Sequence, residues 1–209
     1  IARLNYIFNM GSDNDKKLAL AVGMLDYFGT DKLSAEQVKK EFYKIGISYS
    51  VNIGTELSYI TLSGLENNLP KGIELLENFI KNVKPDQEIY NTQVETILNN
   101  RANAKKRKES IMNALTNYAK YGKDSRFRDI LSEKQLKEMN VTELTDLIKG
   151  VNDYQHEIFF YGSDLNPIVA ALEKHHNLAA NKAPSTPKKY AEPATSDKVY
   201  FANYDMVQA

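Results

Sequence analysis

The chain has 209 residues, 42% of them hydrophobic, which is enough for a real core and argues against disorder. Lys plus Arg and Asp plus Glu both number 27, so the bulk charge gives no reason to expect nucleic acid or an anionic membrane as partner. The absence of cysteine excludes disulfides, thiol catalysis and thiolate-bound metal, and no apolar run approaches the roughly 20 residues needed to cross a bilayer.

Residues 4–10 (LNYIFNM) are rich in aromatic and β-branched side chains and stop at Gly11, which predicts a strand. Residues 12–15 offer helix caps. Leu18, Val22, Leu25 and Phe28 then recur at helical spacing and predict a helix buried on more than one side. Ser34 with Gln37 matches a capping box, Val38, Phe42 and Ile45 form an inner stripe, and Gly46 supplies the stop. Residues 47–53 and 57–65 both alternate, and Gly54-Thr55-Glu56 between them suits a hairpin.

Pro70 suits a helix start, and Ile73, Leu76, Phe79, Ile80 and Val83 form the apolar face of that helix up to Pro85. Residues 86–121 read as a long helical region. Ile89, Val94, Ile97 and Leu98 face inward at its start, and Ile111, Leu115 and Tyr118 at its end. Its middle, 101–110, is almost wholly polar, so a bend or an exposed bridge is expected there. Ser132 and Thr142 are two further cap candidates, and a short helix ends near Gly150. Residues 158–161 (IFFY) are too short for a helix and read as a buried strand. Pro167 opens a last helix with Ile168, Val169 and Leu172 inward.

Residues 182–197 hold three of the six prolines and read as a linker. The domain boundary is placed at about Asn181, so residues 1–181 form one αβ domain and 198–209 begin the first strand of a following one. The opening at Ile1 inside a strand-like run is read as a piece of a longer protein. A hairpin within this order of elements means the sheet cannot be all parallel. The expected class is α+β: a mixed, largely antiparallel sheet with helices packed on one face.

This order resembles the M16 metallopeptidases, the insulinase, pitrilysin and mitochondrial processing peptidase family. The residues that carry the likeness are Gly29-Thr30 closing the first helix, the Ser34-x-x-Gln37 start of the second, Gly46 leading into the hairpin, and Ser63-Gly64-Leu65 before a helix that ends by Pro85. In that family the first helix carries His-x-x-Glu-His, which holds and uses zinc. Counted back in register from Gly29-Thr30, the two histidine positions fall at Leu20 and Met24, and the glutamate position at Gly23. None of these can ligate zinc or act as a base. Gly23 is read as a close-packing position.

The remaining candidates have ordinary readings. His156 and Glu157 are adjacent in a strand and point to opposite faces, so they cannot share a ligand. Glu173 and His176 are an i, i+3 pair, which is half a metal site, and His175 lies beside them near a helix end. All three histidines are taken as structural or surface residues, since a working site needs three or four convergent ligands. The basic run of Lys105, Lys106, Arg107 and Lys108 is read as a solvated helix face and not as a nucleic-acid site. Tyr49 and Tyr59 lie on the hairpin and either face a chamber or serve as half-buried strand residues.

No catalytic, metal or substrate residue is therefore assigned. The resemblance implies a zinc-free, non-catalytic domain that walls a peptide-degrading chamber, with zinc in the catalytic half of the parent. Its implied partners are that half and a peptide substrate. The family's bacterial members are often exported, which implies an extracytoplasmic site. The alternative is a structural or interaction subunit of the same fold with no peptidase activity.

Overall fold

A computed structural model describes residues 1–178, 182–193 and 197–204. Four strands form one sheet: β1 (Ala2–Phe8), β2 (Ile47–Ile53), β3 (Ser58–Gly64) and β4 (His156–Tyr161), in the order β2-β3-β1-β4. All three pairings are antiparallel, and Tyr6 in the central strand faces Ile60 on one side and Ile158 on the other. Successive strand residues point to opposite faces. Leu4, Tyr6, Phe8, Ile60 and Leu62 are buried on one face, while Arg3 and Glu157 stay exposed on the other. The fold is α+β, and the helices that contact the sheet lie on its apolar face.

In chain order the helices are α1 (Lys16–Gly23), α2 (Ala35–Lys44), α3 (Leu69–Asn82), α4 (Gln87–Ala104), α5 (Lys108–Tyr121), α6 (Glu133–Lys137), α7 (Val141–Lys149) and α8 (Asn166–His175). Local chemistry explains their ends. The Asp15 carboxylate accepts from Lys17 and Leu18 N–H at 2.8 and 3.1 Å and caps α1. Ser34 and Gln37 close the expected capping box, and Ser132 with Gln135 forms a second one on α6. α7 is capped by Asn140 and not by Thr142, because the helix already begins at Val141 and Asn140 accepts from Thr142 N–H at 2.9 Å.

Contacts divide the chain into two compact units. The first, Ile1–Tyr90 with Met139–Pro187, holds the sheet and its core. Residues 182–187 are tied into it: Gln155 N–H donates to Lys182 C=O, and Lys182 N–H to Asp153 C=O, both at 2.9 Å. The second, Asn91–Glu138 with Lys188–Ala209, holds most of α4 and all of α5 and α6. Described residues 197–204 are irregular. The expected boundary at Asn181 lies outside the described residues, as do 194–196 and 205–209 of the expected linker and following strand.

Several side chains sit differently from expectation. The IFFY strand is not buried on both sides: β4 is an edge strand covered on one face, and Phe159 and Tyr161 are 56% and 69% exposed. Tyr90, not Ile89, turns inward at the start of α4. Val169 of α8 is exposed, with Ile168 and Ala171 taking the buried side. The 86–121 region breaks at Lys105–Arg107, where three successive cations, followed by Lys108 at the start of α5, offer nothing apolar to bury. Ile111, Leu115 and Tyr118 do not reach a core, because α5 buries no residue.

Gly23 is not a close-packing position. It is the last residue of α1, with φ −63° and ψ −26°, and a Cβ there would meet nothing within 4 Å. Both helix propensity and unfolded-chain entropy then favour alanine. Gly23→Ala is expected to raise the unfolding free energy by about 0.5–1 kcal/mol in a urea titration followed by circular dichroism. A loss instead would mean that the site is crowded.

Candidate functional site

The stretch where the resemblance places a metal motif is α1. Leu20 and Gly23 are half-buried near its end, and Met24 is buried where the chain tightens into a short 3-10 turn, Met24–Asp26. Leucine and glycine offer no side-chain nitrogen or oxygen, and methionine offers only a thioether, so α1 does not fit zinc. Among the described residues, no three His, Cys, Asp or Glu side chains are placed to hold a metal ion.

The hairpin tyrosines separate. Tyr49 lies on the covered face, its ring 4.9 Å from Phe42 and 5.9 Å from Phe79. Burial, with the Asp26 carboxylate as a lesser cause, pushes its phenol up. Tyr59 pairs with Ile7 on the opposite, open face. Lys105, Lys106, Arg107 and Lys108 are all exposed around the break between α4 and α5.

One polar cluster lies inside the first unit, and the sheet topology assembles it from distant segments. His156 begins β4, His176 caps the end of α8, Glu77 sits on the inner side of α3, and Asn152 lies in the turn before β4. His156 Nδ1 meets Tyr154 C=O at 2.6 Å, and His156 Nε2 meets His176 Nε2 at 2.8 Å. His176 Nδ1 meets Glu77 Oε1 at 2.6 Å, and Asn152 Nδ2 donates to Glu77 Oε2 at 2.7 Å. Tyr6 and Phe8 pack against the imidazoles, with ring centroids 5.3 Å from His176 and 4.8 Å from His156.

This network assigns protons. A carbonyl only accepts, so His156 Nδ1 carries the hydrogen. With His156 neutral, its Nε2 accepts from His176 Nε2–H. One further proton is then shared between His176 Nδ1 and the Glu77 carboxylate. The Tyr6 hydroxyl is buried beside the Glu77 carboxylate. Burial first, then the negative charge of Glu77, holds its phenol well above the ordinary range. Among the described residues the cluster does not make a metal donor set. What it does is tie α3, α8 and β4 together through a low-dielectric interior.

The sequence reading kept the histidines apart. The structure brings His156 and His176 together and leaves Glu173 exposed and His175 half-buried. The acid that matters is Glu77, which the sequence reading missed. Its signal was available: Glu77 falls within the apolar stripe of Ile73, Leu76 and Ile80, where a lone carboxylate requires a buried partner.

The cluster predicts a pH response. Burial is the largest influence on His156 and lowers its pKa below the ordinary 6.5, a fall that neighbouring His176 reinforces. The Tyr154 carbonyl and Glu77 oppose it. The unfolded chain therefore binds this proton more readily than the folded one. The stability this group supplies is whole above about pH 6.5 and declines as pH falls from there through the folded value. Melting temperatures measured from about pH 8 to pH 5 are expected to drop on the acid side of 6.5, and His156→Gln to flatten the drop. Equal slopes in both proteins would remove His156 as the cause.

No family model and no curated protein matches this chain by sequence. Solved structures do match by fold. An inactive domain of peptidase M16 from Pseudomonas fluorescens aligns with a TM-score of 0.74 at 15% identity, over 92% of this chain and 49% of that one. The ferredoxin protease FusC, solved as a mutant in complex with Arabidopsis ferredoxin, gives 0.74 at 11% identity, over 91% of this chain and 22% of that one. The periplasmic protease PqqL from Escherichia coli gives 0.69 at 15% identity, over 92% and 22%. The chain thus has the αβ fold of M16 peptidase domains, and it spans between 22% and 49% of the length of these structures.

Proposed function

We propose that this chain is a non-catalytic domain of an M16-type zinc metallopeptidase and forms the zinc-free wall of a peptide-degrading chamber. The observation that carries the reading is a fold shared over 92% of the chain with an M16 inactive domain, combined with Leu20, Gly23 and Met24 where a zinc helix carries its donors. In this reading the zinc and the activated water belong to a catalytic half elsewhere in the parent. That half and a peptide substrate are the partners. In this reading residues 1–181 are the αβ domain, 182–197 the linker, whose first part, 182–187, packs on that domain, and 198–209 the opening of a further αβ unit. PqqL is a periplasmic protease, which supports an extracytoplasmic location for this chain as well.

The test is zinc titration and fluorogenic-peptide hydrolysis by the 209-residue chain, alone and mixed with the half of the parent that carries His-x-x-Glu-His. Alone, the chain is expected to bind no stoichiometric zinc and to cleave nothing. Mixed, it is expected to raise the hydrolysis rate of the catalytic half. Zinc binding with hydrolysis by the isolated chain overturns the proposal. A stable complex without any gain in rate replaces it with the structural-subunit reading.

A further inference from the structure

We propose that the face formed by α4 and α5 in the second unit is a docking groove for an acidic peptide segment bearing apolar side chains. The inference does not depend on the chamber reading, since it follows from this surface alone.

α5 repeats Ile111, Leu115 and Tyr118 on one side at helical spacing, a pattern that ordinarily finds a core, yet none of its residues is buried. With Leu98, Phe127 and Ile130 these side chains line a cavity of about 1130 Å³. Tyr118, Phe127 and Ile130 are 41%, 45% and 48% exposed. A continuous apolar surface of this kind is a mark of a binding site, whereas apolar residues scattered singly are not.

The charge around it is one-sided. Arg101, Lys105, Arg126 and Arg128 line the cavity with one acid, Glu133; the Arg101 guanidinium donates to Leu131 C=O at 2.7 Å and Arg126 lies over the Tyr190 ring, so Lys105 and Arg128 carry the basic rim. Glu133 is already paired with Lys137 at 2.6 Å. Asp129, beside the groove, is engaged by Lys188 at 2.8 Å and by the Tyr190 hydroxyl at 2.9 Å. Lys105 and Arg128 are exposed and have no acidic partner among the described residues. The aliphatic and aromatic floor selects Leu- or Phe-like side chains, and the basic rim selects carboxylates. That combination describes an acidic, apolar peptide. Nucleic acid fits less well, because most of the floor is aliphatic, with Leu98, Ile111, Leu115 and Ile130 between the Tyr118 and Phe127 rings.

Residues of the chain itself already touch this surface: the Tyr200 ring meets Tyr118 edge-on at 5.7 Å, and Ala202 and Asn203 reach the cavity's edge.

The experiment is an anisotropy titration of the 209-residue chain with three fluorescein-labelled probes. The first is a short peptide of Asp, Leu and Ser, the second a matched peptide of Lys, Leu and Ser, and the third a single-stranded oligonucleotide. The acidic peptide is expected to bind at least about tenfold more tightly than the basic one, and less tightly as salt is raised. Lys105→Glu with Arg128→Glu is expected to weaken it by about tenfold or more and to reverse the preference. Leu115→Gln, which removes no core residue, is expected to weaken both peptides; circular dichroism checks that each variant stays folded. Equal binding of the two peptides, no binding of the acidic one, or displacement of it by the oligonucleotide overturns the proposal. A concentration-dependent dimer that the Leu115→Gln variant abolishes also overturns it, by making a second copy the occupant.

Discussion

Replacing Glu77 by alanine is expected to lower the unfolding free energy by about 3–5 kcal/mol, because it removes one member of a buried charged network and strands the rest. The two oxygens of Glu77 hold His176 Nδ1 at 2.6 Å and Asn152 Nδ2 at 2.7 Å, and both partners are 7% exposed. Neither can turn to water. Distance alone does not set this cost. Lys17 and Glu143 also meet at 2.6 Å, but their side chains are 46% and 45% exposed. Breaking that pair is expected to change stability by about 1 kcal/mol or less. Glu77→Gln separates charge from hydrogen bonding. Its amide oxygen still accepts from Asn152, and its N–H donates to a neutral His176, so it is expected to cost roughly 1–2 kcal/mol at neutral pH. Urea titrations by circular dichroism measure all three variants, since the chain has no tryptophan to report by fluorescence. If Glu77→Ala costs no more than the Lys17–Glu143 break, water reaches the cluster and the account of it as a buried tie fails.

What could be read from the sequence was whatever neighbouring residues decide. The Ser34–Gln37 box, the Gly46 stop and the 47–64 hairpin each depend on a few adjacent positions, and they stand where expected. The α+β class followed from the order of those parts. Side-chain fates set by distant segments were not legible. IFFY looks fully buried in isolation, yet a strand's place at a sheet edge is decided by which strands pair elsewhere. Gly23 looked interior to a helix because register was counted along a regular helix, while the chain tightens into a 3-10 turn at Met24. The Glu77–His176 bond joins positions 99 residues apart. No local spacing reveals such a pair, although a carboxylate within an apolar stripe announces that some partner must exist.

The other large effect is expected at Gly64. This residue ends β3 with φ +152°, a backbone state that L side chains rarely adopt. It also faces Gly46, which leaves α2 at φ +63° and delivers the chain into β2. A Cβ on residue 64 would stand 2.1 Å from Gly46 C=O and 3.0 Å from Ile47 Cα. Both are backbone atoms, so no rotamer change relieves the overlap. The Gly46 carbonyl cannot retreat freely either, since it accepts from Leu65 N–H at 3.2 Å. Gly64→Ala must therefore pay for backbone strain of about 1–3 kcal/mol and also for displacing the end of the β2–β3 ladder, a total of roughly 3–5 kcal/mol. The same substitution at Gly23 is expected to stabilise. The pair tests whether local geometry or the mere loss of a glycine decides the outcome. Opposite signs for the two variants support the geometry. A small effect at Gly64 would mean that α2 and β3 can move apart without cost, and would contradict the close backbone approach that joins the second helix to the sheet.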